Sequence, residues 1–157
     1  LLGVESSGPH SNGYSLIRSI LKKHKAPKAI MQVLLKPTHL YPAPVLELIK
    51  KTNVKGMANI TGGGLTENIP RILKKGLVAN VDLSAWKFPK AFLWLQEKGK
   101  ISTSDMLRIF NCGIGMVCIL DKKEISRAQK ILSTHKLRSF EIGTITKGNL
   151  QEKIQYT

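Results

Sequence analysis

Two loops concentrate the residues able to hold an anion or a polar metabolite. Thr61-Gly62-Gly63-Gly64 joins a strand-like run, Val54–Ile60, to a helix-like one. Three consecutive glycines cost conformational entropy that an ordinary turn does not require, and they let a phosphate reach the backbone without side-chain obstruction. The uncompensated N–H groups of the helix start add donors and a positive dipole end. A tight turn with no ligand is the other reading of the same residues. The second loop, Ser6-Ser7-Gly8-Pro9-His10-Ser11-Asn12-Gly13, holds three hydroxyls, an imidazole and a carboxamide in eight positions. Such groups suit a sugar phosphate or an amide, and suit equally well the capping of their own helix.

Other chemistries lack their residues. The chain has no Gly-x-x-x-x-Gly-Lys-Ser/Thr loop, and Gly113-Ile114-Gly115 lacks the third glycine of a dinucleotide fingerprint and precedes a strand-like run. ATP binding therefore does not follow from these loops. No Gly-x-Ser-x-Gly elbow supports a serine nucleophile. Cys112 and Cys118 have no second Cys/His pair to complete a zinc set, so buried reduced thiols are expected. His24, His39 and His135 lie far apart in the sequence and read as surface or linker residues, with no metal site expected.

The elements that must position these loops follow from hydrophobic period. Leu1–Glu5 reads as a short buried strand, and Leu16, Ile17, Ile20 and Leu21 as a helix capped by Ser11 or Asn12. Pro27 is expected to end the helical tendency there, with Leu34–Thr38 extended and a second helix from about Pro44 to before Asn53. Leu65, Ile69, Ile72 and Leu73 mark the helix after the glycines, with Thr66 and Glu67 in its first turn. Leu77–Asp82 alternates as a strand; Pro89 suits a first helical position, and Gly99 that helix's stop. Ser102–Phe110 is a further helix, Ile114–Leu120 a central strand, Ile125–Leu132 a helix, and Phe140, Ile142 and Ile145 the last main strand. The tail after Lys147 reads either as an edge strand or as disordered. Strands separated by helices in irregular alternation predict an α+β fold, a mixed β-sheet covered by helices.

A length of 157 residues fits one domain over 1–157, and the 42% apolar share contains no run of membrane-spanning length. The chain has no initiator Met and starts in an apolar strand, so a fragment is expected. Its net charge of +15 is scattered mostly as lysine pairs near helix ends, apart from Lys22–Lys28. With few aromatics interleaved, this reads as a solvated surface; nucleic acid and membrane are not expected partners.

Read as words, the loops carry a resemblance. Ser6-Ser7-Gly8-Pro9-His10-Ser11-Asn12-Gly13-Tyr14-Ser15-Leu16 resembles, almost letter for letter, the signature of the aminoimidazole ribonucleotide synthetase (phosphoribosylformylglycinamidine cyclo-ligase) family. Two more phrases follow in the family's order, Thr61-Gly62-Gly63-Gly64-Leu65-Thr66-Glu67-Asn68-Ile69-Pro70-Arg71 and Arg108-Ile109-Phe110-Asn111-Cys112-Gly113-Ile114-Gly115-Met116. Weaker similarity joins them, and the match covers nearly the whole chain. The part matched is the family's C-terminal domain.

The resemblance implies an ATP- and Mg2+-dependent ligase of purine biosynthesis, cytoplasmic and homodimeric as a full-length enzyme. It implies a small-molecule substrate, formylglycinamidine ribonucleotide, whose formyl oxygen is phosphorylated before an amidine nitrogen closes the imidazole ring. ATP and Mg2+ are expected to need an N-terminal domain that this chain does not carry, so the chain alone is expected to be inactive. By matching position, Ser6, Ser7, Gly8, His10, Ser11, Asn12, Asn59 and Asn111 are the expected substrate contacts, and Gly62, Gly63, Gly64, Glu67 and Asn68 the phosphate site; no catalytic residue is assigned. Glu67, Asn68 and Asn111 can instead orient the loops. Family members often have His at the position of Asn59 and a basic residue at that of His39; Asn59 cannot titrate, so hydrogen bonding is expected of it. Valine at Gly63 is expected to weaken anion binding and spare the fold. Selenophosphate synthetase and thiamine-monophosphate kinase are the nearest enzyme alternatives; a basic polyanion-binding module is the alternative of another class.

Overall fold

The computed structural model describes residues 1–148 and 153–157. Strand β1, Leu2–Glu5, leads through the serine-rich loop into helix α1, Tyr14–Lys23, followed by α2, Lys28–Leu34, and α3, Pro42–Lys51. Strand β2, Gly56–Asn59, runs into the glycine turn and α4, Gly64–Arg71; β3, Leu77–Val81, α5, Lys90–Gly99, and α6, Thr103–Ile109, come next. Strand β4, Ile114–Ile119, helix α7, Ile125–Thr134, and strands β5, Ser139–Glu141, β6, Gly143–Lys147, and β7, Ile154–Tyr156, complete the order.

The strands form two sheets. The larger, in order β2-β4-β1-β5, is antiparallel throughout, with Gly3 opposite Val117 and Ala58 opposite Val117 on the other side. The smaller, in order β6-β3-β7, is mixed: β3 pairs antiparallel with β6 and parallel with β7. Helices cover both, as the α+β expectation requires. Alternation along β1 and β4 sends Leu2, Val4 and Cys118 into one core with Leu48 of α3 and Ala128, Ile131 and Leu132 of α7. The opposite face carries Ile114 and Val117 into a second core with Ile17, Leu65, Ile69, Phe92 and Phe110.

Four expectations need correction. Residues Phe140 to Ile145 are two strands in different sheets, not one. The chain crosses between sheets at Gly143, where φ is +151° and a Cβ would lie 1.9 Å from the Asn80 carbonyl oxygen. Helix α2 occupies part of the stretch expected to be extended: Pro27 stands just before the helix with φ −55°, where its absent N–H is not needed, and the extended chain begins only after Leu35. Pro89 likewise precedes the first helical residue of α5. Helix α1 is capped neither by Ser11 nor by Asn12 but starts from Gly13 at φ +71°, with no side-chain cap. The tail is a strand, since β7 joins the edge of the small sheet. Residues 149–152 of that tail lie outside those described. Among the described residues no helix is long and apolar enough to cross a membrane.

Candidate functional site

Strands β1 and β2 are each antiparallel to β4, so they run in the same direction. Their C-terminal ends and the N-terminal end of β4 therefore share one edge of the large sheet. From that edge emerge the serine-rich loop after β1, the glycine turn after β2 and the Phe110–Gly113 segment before β4. The three phrases separated in sequence are thus neighbours by topology.

Hydrogen bonds fix them to one another. Asn111, fully buried, donates from Nδ2 to the Gly8 carbonyl (2.9 Å) and accepts at Oδ1 from Ser6 Oγ (2.9 Å) and from the Gly113 N–H (2.9 Å). Asn12 Nδ2 donates to the Ile60 carbonyl at 3.3 Å, tying the first loop to the chain just before the glycines. Ser7 Oγ donates to the Pro37 carbonyl (2.6 Å) and Tyr41 Oη to the Glu5 carbonyl (2.7 Å), which lays the segment 37–41 along the first loop. Ser7, Asn12, Tyr41 and Asn111 are buried and matched, so their role is positioning.

In the glycine turn the Gly64 N–H donates to the Thr61 carbonyl (3.0 Å) and the Glu67 N–H to the Gly63 carbonyl (3.0 Å). Among the described residues no acceptor takes the N–H groups of Gly62, Gly63, Leu65 or Thr66. Asn68, 4% exposed, braces the turn from below: its Nδ2 reaches the Gly64 carbonyl at 2.8 Å and the Gly62 carbonyl at 3.2 Å. Gly64 (φ +55°) is pressed on α6, where a Cβ would lie 2.1 Å from the Leu107 carbonyl oxygen; at Gly62 a Cβ would meet nothing within 4 Å. The turn is therefore closed on one side and open to solvent at Gly62. At Gly63, φ is +95° and a Cβ would come within 2.6 Å of the Glu67 Cβ, so valine there strains the turn itself and does not spare the fold as expected.

The expected site residues consequently divide. Ser7, Asn12, Asn68 and Asn111 hold the loops, as Gly8 does by passing against the Val33 carbonyl. Ser11, Asn59, Gly62 and Glu67 face solvent at the same sheet edge, and Ser6 and Gly63 are half-buried between the two groups. His10 is buried at φ +57°, and its Nε2 accepts from the Ser7 N–H at 3.2 Å. Burial, aided by His39 nearby, pushes its pKa down to about 4, so the ring is neutral near pH 7.

The sequence reading missed His39 and Tyr41 as members of this site. Their rings stand 6.5 and 6.0 Å from that of His10 and 6.1 Å from each other, all edge to face. With Asn59, the last residue of β2, and with Val45 and Met116 they line a pocket of about 350 Å3. The family resemblance marks the position of His39, but only the fold of segment 37–41 along the first loop brings it to this site. His135 is also no isolated surface residue, since its Nε2 meets Glu47 Oε2 at 2.6 Å between α3 and α7. Both cysteines are buried and free, and burial pushes the Cys118 thiol up to about 12. Among the described residues no group of three or more His, Cys, Asp or Glu is placed to hold a metal ion.

The family described as AIR synthase related protein, C-terminal domain, matches residues 1–154. The phosphoribosylformylglycinamidine cyclo-ligase of Lawsonia intracellularis is 44% identical over 162 residues, covering 98% of this chain and 46% of the relative. The chain thus spans about half the length of the curated relatives it matches. Hydrogenase maturation protein HypE in complex with ATP superposes with a TM-score of 0.66 at 16% identity, over 99% of this chain and 48% of that one. Thiamine-monophosphate kinase from Stenotrophomonas maltophilia superposes with a TM-score of 0.66 at 14% identity, over 99% and 49%.

Proposed function

Since the chain belongs to the AIR synthase related protein family, C-terminal domain, we propose that it is the C-terminal part of a phosphoribosylformylglycinamidine cyclo-ligase. In this reading it works with an N-terminal nucleotide-binding half in a cytoplasmic, homodimeric enzyme of purine biosynthesis. The reaction converts formylglycinamidine ribonucleotide to aminoimidazole ribonucleotide with release of ADP and phosphate. The 44% identity to a cyclo-ligase, against 14% to the superposed kinase, favours this over other enzymes of the same fold.

The observation that carries the reading is the meeting of all three phrases at one sheet edge, locked by Asn111 and Asn12. The open N–H groups at Gly62, Gly63, Leu65 and Thr66, with the positive end of α4, suit a phosphate. Ser6, Ser11 and Asn59 offer hydrogen bonds to the ribose and the amidine. Of the cofactors, ATP fits only in part: the turn suits one of its phosphates, or the phosphoryl group as it transfers, when charge develops that preorganised N–H donors stabilise. The described residues do not form a magnesium site, as Glu67 is the one carboxylate at the turn and Glu5 is paired with Arg138 at 2.8 Å. Mg2+ and the rest of ATP are assigned to the other half.

The test is ADP release dependent on formylglycinamidine ribonucleotide. We expect none from the isolated chain and turnover when the chain is joined to its nucleotide-binding half. Release by the isolated chain overturns the division of labour, and no turnover by the joined protein overturns the function.

A further inference from the structure

We propose that the outer face of α3, with Leu40 just before it, is the surface on which the nucleotide-binding half of the same protein docks. The inference rests on the cyclo-ligase reading and names where the two halves meet.

Helix α3 is apolar nearly all round. Its inner face buries Pro44 and Leu48, and Leu48 packs into the core shared with α7. Of its ten residues only Glu47, Lys50 and Lys51 are charged, and Glu47 is engaged by Lys51 and by His135, each at 2.6 Å. The outer face carries Pro42, Leu46 and Ile49 at i, i+4 and i+7, all exposed. A helix with apolar residues on every side is ordinarily covered on every side. Of the five large apolar residues that stand exposed among the described residues, four lie between Leu35 and Ile49; Leu40 is 87% exposed, Leu46 58% and Ile49 46%. Isolated exposed leucines are normal on a protein surface, whereas several gathered on one face mark a contact.

Position, chain length and charge select the occupant. Leu40 and Pro42 line the same pocket of about 350 Å3 as Asn59, so the apolar face runs into the candidate site, and a body that closes over that pocket must rest on its rim. The chain covers 46% of its Lawsonia intracellularis relative, and the same fold takes up 48% and 49% of the two superposed proteins, so about as much chain again accompanies it in each. A second copy of this chain fits the face poorly. Exposed Lys36 and Lys50 stand at its border, and two copies paired through it would oppose these lysines to one another in a chain that already carries +15. The surface expected opposite is apolar at its centre and bordered by carboxylates.

The experiment introduces one cysteine at a time, as Leu40→Cys, Leu46→Cys and Ile49→Cys, with Leu93→Cys on α5, where the leucine is 50% exposed, as the control. Native Cys112 and Cys118 are buried, so they stay silent toward iodoacetamide while the chain is folded. In the isolated chain all four introduced thiols should be alkylated readily. In the chain joined to its nucleotide-binding half, those at 40, 46 and 49 should react at least about 10-fold more slowly, and the one at 93 as before. Adding Leu46→Glu to Ile49→Cys in the joined protein should return the rate toward that of the isolated chain, because a charge placed in the contact opens it. Leu46 is exposed in this fold, so Leu46→Glu should leave the thermal midpoint of the isolated chain unchanged. Equal rates in the isolated and joined proteins, or protection of Ile49→Cys that Leu46→Glu leaves intact, overturn the proposal, while turnover by the joined protein keeps the function. Protection in the isolated chain that grows with its concentration gives the face to a second copy and overturns the proposal too. A joined protein that protects the three thiols without turnover supports the interface and overturns the functional reading.

Discussion

His10 illustrates how a residue can look like chemistry in a sequence and serve structure in the fold. Its position in a loop of hydroxyls invites an acid–base role, yet its lone pair holds the Ser7 N–H and its pKa is pushed down to about 4. The consequence is a pH-dependent stability with a definite sign. The folded pKa lies below the unfolded ~6.5, so between those values the unfolded chain binds more protons, and stability falls as pH drops. The contribution is fully present above pH ~6.5 and gone below about 4. Removing the titrating ring should remove this slope: between pH 7 and 4.5, His10→Gln should lose about 1–3 kcal/mol less stability than the wild type. Urea midpoints of both proteins at the two pH values check this. Asn111 makes the complementary point, because this fully buried amide spends three of its four hydrogen-bonding positions on the loops around it and exposes no surface to a ligand.

The glycine turn acts as an element rather than as three equivalent residues. Gly64 packs on the Leu107 and Phe110 carbonyls, Gly63 packs under Glu67, and Gly62 alone is open. Alanine at Gly64 puts a Cβ within 2.1 Å of backbone that cannot yield, at positive φ, and should cost about 3 kcal/mol or more. Alanine at Gly62 meets nothing in the fold and should change stability by less than about 1 kcal/mol, while the added methyl stands where an anion would approach. Thermal unfolding of both variants, with phosphate titrated into Gly62→Ala and the wild type, separates the two roles. Weakened phosphate binding at unchanged stability is the expected result for Gly62→Ala. The same binding in both proteins would remove this turn from the phosphate site.

At the scale of the whole molecule, the large sheet is the frame and the small sheet an addition to it. Strands β1 and β4 are central, paired on both sides and covered by cores on both faces. Strands β6 and β7 are the edges of the smaller sheet. Amides of β1 and β4 should therefore exchange with solvent deuterium only through global unfolding, and those of β6 and β7 faster by local opening. Mass-spectrometric exchange on the isolated chain reads this directly. Equal protection across both sheets would mean that they open as one unit.

Periodicity alone placed most of the elements, because a half-buried strand or helix must repeat its apolar residues at the spacing of its own geometry. Leu1–Glu5, the helix after the glycines, Ile114–Leu120 and Ile125–Leu132 were legible for that reason. The loop phrases also carried the family, since their glycines and amides are required by local turns and close contacts that leave little choice of residue. Pairing was not legible. Strand order, the crossing at Gly143 and the placement of α2 depend on which distant surfaces fit together, and a single sequence states neither partner nor register. The site divides in the same way. Ser6–Gly13 and Thr61–Gly64 announced themselves by composition, and Asn111 only by its place in a family phrase. Which of them face solvent, and the arrival of His39 and Tyr41 beside Asn59, were decided by antiparallel pairing with β4 and by the hydrogen bonds that lay segment 37–41 along the first loop.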